Sequence, residues 1–313
     1  MKRMYISSLY RLKDVDPLSS KELGRIYILD WDTKELLNNP RGLDPGYSLH
    51  KPTSSSHGAR GITVHDGCVY VAGSGNKISK FSMDTYELVG VLEFDGLKGL
   101  HQIKSREGSL YIVSTATDCL FRVVNDVIVD KIELSKFANI IDKHDINIKS
   151  NKEWGAGHLH FNSINWDDSG NMYHVYFAFG MVFNYTKEEV VFCDSNALQS
   201  PHDVLSHNGK LIVNSSKSCS TISIDLDTKE YDTIFSVGSS KRCINNNEAV
   251  ENCCGFTRML CSYKDIIFVG SIPGDIHALR LNEGSYKVID NYSFTTTYYE
   301  AIYDMVLDPR DWS

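Results

Sequence analysis

Six short phrases in this chain each begin with a side chain that can bind or move charge, and each reaches an aliphatic residue or methionine two places on. They are Arg60-Gly61-Ile62, His101-Gln102-Ile103, Asn162-Ser163-Ile164, His202-Asp203-Val204, Arg258-Met259-Leu260 and Tyr303-Asp304-Met305. Arginine stays charged near neutral pH, and its planar fork suits carboxylate, phosphate or sulfate. Arg60 and Arg258 are therefore candidates to hold an anionic small molecule. Imidazoles titrate near neutrality, so His101 and His202 are candidate acid–base catalysts, with Tyr303 a further proton donor. Asn162 would orient the substrate. His160, two residues ahead of it, either assists or joins His101 and His202 as ligands of one divalent transition metal, for which neutral imidazole is a good donor. Calcium is disfavoured because it wants several oxygen ligands. The lead positions supply only Asn162, with Asp203, Asp304 and Glu300 nearby in sequence but not equivalent.

Chemistry shared among six phrases needs elements that bring them together, and the residues after each phrase indicate which. Arg60, His101 and His202 each stand seven residues before a glycine, Gly67, Gly108 and Gly209. The turns His65-Asp66-Gly67, Arg106-Glu107-Gly108 and His207-Asn208-Gly209 are hairpin signals in which glycine takes the positive φ. The third phrase reaches its turn one residue later, in Asp167-Asp168-Ser169-Gly170-Asn171. Apolar, β-rich runs follow, such as Val69-Tyr70-Val71, Leu110-Tyr111-Ile112-Val113 and Leu211-Ile212-Val213, and read as second strands. A later turn recurs as Trp31-Asp32-Thr33-Lys34-Glu35, Met83-Asp84-Thr85-Tyr86-Glu87 and Leu226-Asp227-Thr228-Lys229-Glu230. The repeating unit is a four-stranded antiparallel meander.

From lead residue to lead residue the repeats measure 41, 61, 40, 56 and 45 residues, the period of propeller blades. The expectation is an all-β, six-bladed β-propeller forming a single domain over residues 1–313, with blades near 58–97, 98–135, 158–194, 200–236, 255–294 and 299–308 plus 3–38. In the last blade a C-terminal inner strand, Ala301 to Leu307, joins N-terminal strands at Met4 to Leu9, Ile26 to Asp30 and Leu36-Leu37. That would close the ring and remove an exposed sheet edge. Around such a ring the histidines occupy one arc, while Arg60 and Arg258 flank Tyr303 opposite. Three long connections, Asn38 to Gly58, Ser135 to Gly157 and Val237 to Gly255, would emerge on the face of the lead residues. They would wall a pocket there or receive a protein partner. The competing reading is a non-catalytic ligand-binding or protein-interaction propeller, whose polar lead residues hold only water or strand-end carbonyls.

Closed β folds run to 313 residues as one domain. The net charge is −8 and the basic residues are scattered, so no nucleic-acid surface is expected. No apolar run is long enough to span a membrane. The opening Met1-Lys2-Arg3-Met4-Tyr5-Ile6-Ser7-Ser8 lacks the apolar core of a signal peptide, and a cytoplasmic protein is expected. Of eight cysteines, Cys68, Cys119, Cys219 and Cys261 fall in or beside predicted strands and read as small core residues. Cys243, Cys253 and Cys254 share one connection but match no zinc spacing, and reduced thiols are expected. His57, His65, His144, His174, His207 and His277 read as structural. No phosphate-cradling glycine motif is present, so no nucleotide cofactor is expected, which favours lyase or hydrolase chemistry.

The stretch His160-Phe161-Asn162-Ser163-Ile164, followed by Asp168-Ser169-Gly170-Asn171-Met172-Tyr173, resembles first-strand repeats of the six-bladed propeller superfamily. That superfamily includes gluconolactonase-like hydrolases, streptogramin lyases and NHL-repeat proteins. The same wording is similar to a blade of bacterial arylsulfotransferases, propeller enzymes that use channel histidines and an arginine. Along its length the chain looks like an uncharacterised bacterial propeller family associated with glycan-synthesis genes. The resemblance implies the propeller fold and suggests a sugar acid or glycan precursor as substrate. Two departures stand out: the opening residues do not read as the export signal expected of periplasmic sulfotransferases, so export is not expected, and histidine and arginine stand where gluconolactonase-like calcium ligands would be acidic and amide residues.

Overall fold

The computed structural model describes residues 1–11, 25–37, 56–73, 76–137, 159–177, 179–237, 244–245, 248–249, 256–272, 274–294 and 300–312. The three long connections, with His144, His158, Cys243, Cys253 and Cys254, lie largely or wholly outside them. The chain is almost entirely β and divides into two compact units, one of Met1–Ile132 with Tyr299–Ser313 and one of Glu133–Tyr298. Among the described residues no helix is long and apolar enough to cross a membrane.

The first unit begins with β1 (Arg3–Arg11), β2 (Ile26–Asp30) and β3 (Glu35–Leu36). A meander of β4 (Ser56–His65), β5 (Cys68–Gly73), β6 (Lys77–Ser82) and β7 (Leu88–Glu93) follows. A second comprises β8 (Leu100–Arg106), β9 (Ser109–Ser114), β10 (Cys119–Val124) and β11 (Val127–Glu133). The last strand of the chain, β26 (Glu300–Leu307), lies antiparallel to β1 with Met4 opposite Leu307 and Ile6 opposite Met305. This produces the expected group of one C-terminal and three N-terminal strands in the order β26-β1-β2-β3, and β1 also continues into β4 through Leu9 opposite Gly58. The residues after β26 fasten the join. Asp311 Oδ2 accepts from Arg3 Nε at 2.6 Å, Tyr5 Oη donates to Asp308 at 2.8 Å, and Trp312 Nε1 donates to the Arg3 carbonyl at 2.8 Å.

The second unit repeats the motif three times. Its strands are β12 (Phe161–Trp166), β13 (Met172–Tyr176), β14 (Met181–Asn184) and β15 (Glu189–Cys193), then β16 (Pro201–His207), β17 (Lys210–Ser215), β18 (Ser220–Asp225) and β19 (Tyr231–Ser236). A two-residue hairpin, β20 (Ile244–Asn245) with β21 (Glu248–Ala249), precedes β22 (Thr257–Tyr263), β23 (Ile266–Ser271), β24 (Asp275–Asn282) and β25 (Ser285–Ser293).

Local chemistry explains the turns. In Asp66-Gly67, Glu107-Gly108 and Asn208-Gly209 both residues have positive φ, between 44° and 74°, the requirement of a type I′ hairpin. In the later turns Lys34, Tyr86 and Lys229 take φ of 62°, 59° and 63°. Their amides return to the carbonyls of Asp30, Ser82 and Asp225. Side-chain oxygens of those same three residues accept further turn amides, the local bonding that makes Asp and Ser turn formers.

The aliphatic or methionine residue of every phrase is core. Ile62, Ile103, Ile164, Val204, Leu260 and Met305 are each no more than 1% exposed, and full burial of such side chains contributes about 1.5–3 kcal/mol apiece. Neighbouring meanders pack face to face: Ile62 sits with Tyr5, Ile28 and Val71, Ile103 with Tyr70 and Ile112, and Val204 with Tyr173 and Val213. His174, on β13, is fully buried beside Phe161 and stacks on Tyr185 at 5.5 Å and 8°. Burial alone lowers its pKa to about 3. The thiol expectation needs correction. Cys68, Cys119, Cys193 and Cys261 are free, but Cys219 is disulfide-bonded, its partner lying outside the described residues.

Candidate functional site

Each lead residue sits where the register of its first strand slips against the second. The shifts fall between Ala59 and Ile62, Leu100 and Ile103, Phe161 and Ser163, Pro201 and Val204, and Thr257 and Met259. On β26, Ile302 faces Ser8 and Asp304 faces Ser7, leaving Tyr303 as the extra residue. Six inner strands therefore carry six β-bulges at Arg60, His101, Asn162, His202, Arg258 and Tyr303. A bulge frees a residue from the ladder and re-aims its side chain.

In the first unit three of these side chains converge. The His101 and Tyr303 rings lie 5.2 Å apart at 59°, and the Arg60 guanidinium carbon is 5.9 Å from the Tyr303 ring centre, near the outer limit of cation–π attraction. Arg60 Nη1 donates to the carbonyl of Leu100, directly before His101, at 3.1 Å. Tyr303 is 5% and His101 8% exposed. Arg60 flanks Tyr303 as expected, but His101 lies against Tyr303 instead of on an opposite arc. Gly61 lets β4 approach β8 closely, since a β-carbon there would stand 2.6 Å from Gln102 Cα and from Ile103 N.

The second unit brings His160, His202 and an aromatic residue together. His160 turns the chain into β12 with φ 48°, and its ring stacks on Phe177 at 4.5 Å and 25°. The other neighbour of Phe177 is His202, met edge-on at 5.1 Å and 79°. His202 Nδ1 lies 3.0 Å from the Ser200 carbonyl and 2.7 Å from Ser216 Oγ. A carbonyl can only accept, so Nδ1 carries the proton and the lone pair of the neutral ring is on Nε2, a tautomer assigned from these contacts.

Asn162 is fully buried, and its amide donates to the Pro201 carbonyl at 3.1 Å. This bond holds the residue before His202 in place. Arg258, half-buried on β22, follows Thr257, whose hydroxyl donates to the Ser220 carbonyl at 2.6 Å and whose carbonyl accepts from Ser216 at 2.5 Å.

The expected metal centre of His101, His160 and His202 is not supported. Among the described residues no group of three or more His, Cys, Asp or Glu side chains could hold a metal ion. Phe177 occupies the space between the His160 and His202 rings.

Three residues have structural roles that the sequence reading did not assign: Asp203, Asp304 and Phe177. Asp203 accepts from Val204 N and Leu260 N, both at 2.9 Å, and Asp304 accepts from Met305 N at 2.9 Å and Ile62 N at 3.1 Å. Each carboxylate thus ties its own bulge to the inner strand of the following meander. The available signal was aspartate immediately after two of the six lead residues. Phe177 had no such signal, since its role depends on which residue ends a second strand.

No protein-family model matches the chain, and no curated protein matches it in sequence. Solved structures do resemble it. A Bacteroides caccae protein of unknown function is similar with a TM-score of 0.60 at 12% identity, over 98% of this chain and 99% of that one. A chain of a nidogen–laminin complex gives 0.59 at 9% identity, over 97% and 98%. Virginiamycin B lyase from Staphylococcus aureus, in a catalytically inactive histidine-to-alanine form with quinupristin, gives 0.52 at 12% identity, over 82% and 74%. At these identities the likeness concerns the fold, which is a β-propeller.

Proposed function

We propose that the six meanders are blades of one closed ring, that the bulged lead residues face its channel mouth, and that the protein acts there on an anionic small molecule, a sugar acid or glycan precursor, as a lyase or hydrolase. The observation that carries this reading is the bulge at every lead position. Positions released from the ladder are occupied by arginine, histidine, asparagine and tyrosine, residue types that bind anions and move protons. Elimination suits the arrangement best. Arg60 and Arg258 hold a carboxylate and offset the charge that develops when a neighbouring C–H loses its proton. His202 takes that proton at Nε2, the electron pair forms the new double bond, and the leaving oxygen receives a proton from Tyr303 or His101. His160 assists from the far side of Phe177. The virginiamycin B lyase whose histidine-to-alanine form is catalytically inactive lends support, because it shows an essential histidine on this fold.

One observation favours a second reading. Arg60 donates to the Leu100 carbonyl, which is what a non-catalytic propeller would do with such a residue. A thermal-shift screen of sugar acids, phosphates and sulfates separates the two. A ligand at about 100 times its dissociation constant adds about 2.7 kcal/mol of stability, and that gain should be lost in Arg60→Ala and Arg258→Ala. Stabilisation by no anion, or by the same amount in all three proteins, would exclude an anion site at the lead residues.

A further inference from the structure

His202 is held by more than its own strand. Its Nδ1 meets Ser216 Oγ at 2.7 Å, and Ser216 donates in turn to the Thr257 carbonyl at 2.5 Å. Ser216 is fully buried and stands just past the end of β17, while Thr257 directly precedes Arg258. The hydroxyl has one proton. Because that proton goes to a carbonyl, Ser216 can only accept from the imidazole, which places the imidazole proton on Nδ1.

The position of Ser216 is reproduced elsewhere in the repeat. Ser215 pairs with Pro201, and Ser216 follows; Ser114 pairs with Leu100, and Thr115 follows; Tyr176 pairs with Phe161, and Phe177 follows; Ser271 pairs with Thr257, and Ile272 follows. Among the described members of this set the residue is therefore Ser216, Thr115, Phe177 or Ile272. Ser74, its counterpart after Gly73, lies outside the described residues. Thr115 is likewise buried, at 5% exposed.

We infer that Ser216 is a positioning residue: it fixes His202 as the Nδ1–H tautomer, presents Nε2 as the reactive nitrogen, and links that choice through Thr257 to the strand that carries Arg258. The inference rests on the reading of His202 as the base, yet its geometry can be tested with no substrate.

The experiment is two-bond nitrogen–proton correlation NMR of the full chain labelled with nitrogen-15 histidine, at about pH 8 so that the imidazoles are neutral. His202 is assigned from the signals lost in His202→Gln. Wild type should show a protonated Nδ1 and an unprotonated Nε2. Removing one hydrogen bond of ordinary net strength in Ser216→Ala should shift the tautomer ratio toward Nε2–H by about fivefold to tenfold, and Ser216→Thr should restore it. Ser216→Cys, with similar volume and a weaker acceptor, should fall between and serves if the alanine variant fails to fold. An Nε2–H ring in wild type overturns the inference, as does an unchanged ratio in either weakened variant that keeps the native amide spectrum. A correctly held ring in a protein that binds no anion would instead sink the proposed function and leave the positioning role standing.

Discussion

Replacing His174 by phenylalanine should remove much of the protein's sensitivity to mild acid. The imidazole is fully buried between Phe161 and Tyr185, and neither ring nitrogen has a hydrogen-bond partner. Burial lowers its pKa from 6.5 to about 3, a difference worth about 5 kcal/mol between protonation states. The sign follows from which state binds the proton. Above pH 6.5 the ring is neutral whether the chain is folded or unfolded, and the native state carries no penalty. As pH falls from 6.5 towards 3 the unfolded chain takes up a proton that the folded chain refuses, and stability is lost progressively. Between about pH 7.5 and 5 this one group costs about 2 kcal/mol. Burial also lowers the pKa of His207 and His277, but they are common to both proteins and cancel on subtraction. At neutral pH the gain from removing unpartnered nitrogens, about 1–3 kcal/mol, is offset in part by fitting the larger ring. Equilibrium urea unfolding of wild type and His174→Phe at the two pH values measures the difference. The variant should gain about 2 kcal/mol relative to wild type on acidification. A gap that stays constant within about 0.5 kcal/mol would mean that the ring finds a proton acceptor or solvent in the native state, and the reasoning fails.

Three further outcomes are expected. Asp203→Ala leaves the Leu260 amide without its acceptor and should destabilise by about 1–3 kcal/mol, read as a drop in thermal midpoint; an unchanged midpoint would show that the bridge between meanders is dispensable. Gly61→Ala forces a β-carbon to within 2.6 Å of backbone atoms of Gln102 and Ile103 and should cost about 1–3 kcal/mol, with His101 signals shifting in the NMR spectrum, whereas a silent substitution would mean the inner strands are not in close contact. Alkylation of the native, unreduced protein followed by peptide mass spectrometry should modify exposed Cys193 and leave Cys219 unlabelled until a reductant is added; immediate labelling of Cys219 would contradict its disulfide.

What could be read from the amino-acid order was what local chemistry decides. The paired positive φ values at Asp66-Gly67, Glu107-Gly108 and Asn208-Gly209 follow from glycine in a tight turn. The pairing of β26 with β1 follows from counting strands against a fixed period. The lead residues were identifiable as a set because each precedes a buried apolar residue at a constant offset. Their geometry was not. A bulge is a difference of one residue between two strands, so it becomes visible only when the register is known. The contact of His101 with Tyr303 depends on how the strands that carry them pack, and the placing of Phe177 beside His160 and His202 depends on where β13 ends. The bond at Cys219 had no signal in the spacing of the cysteines.

The bulges also bear on how such a protein can change over time. An ordinary strand residue answers to its cross-strand neighbour, so a new side chain there disturbs the sheet that carries it. Arg60, His101, His202, Arg258 and Tyr303 stand outside the ladder at these slips in register, although Arg60 remains tied to the Leu100 carbonyl, Asn162 to the Pro201 carbonyl, and His202 to Ser200 and Ser216. A substitution at such a position disturbs ladder pairing less than one at a paired position. The turns and core residues, on which the ladder depends, are then the parts expected to change most slowly.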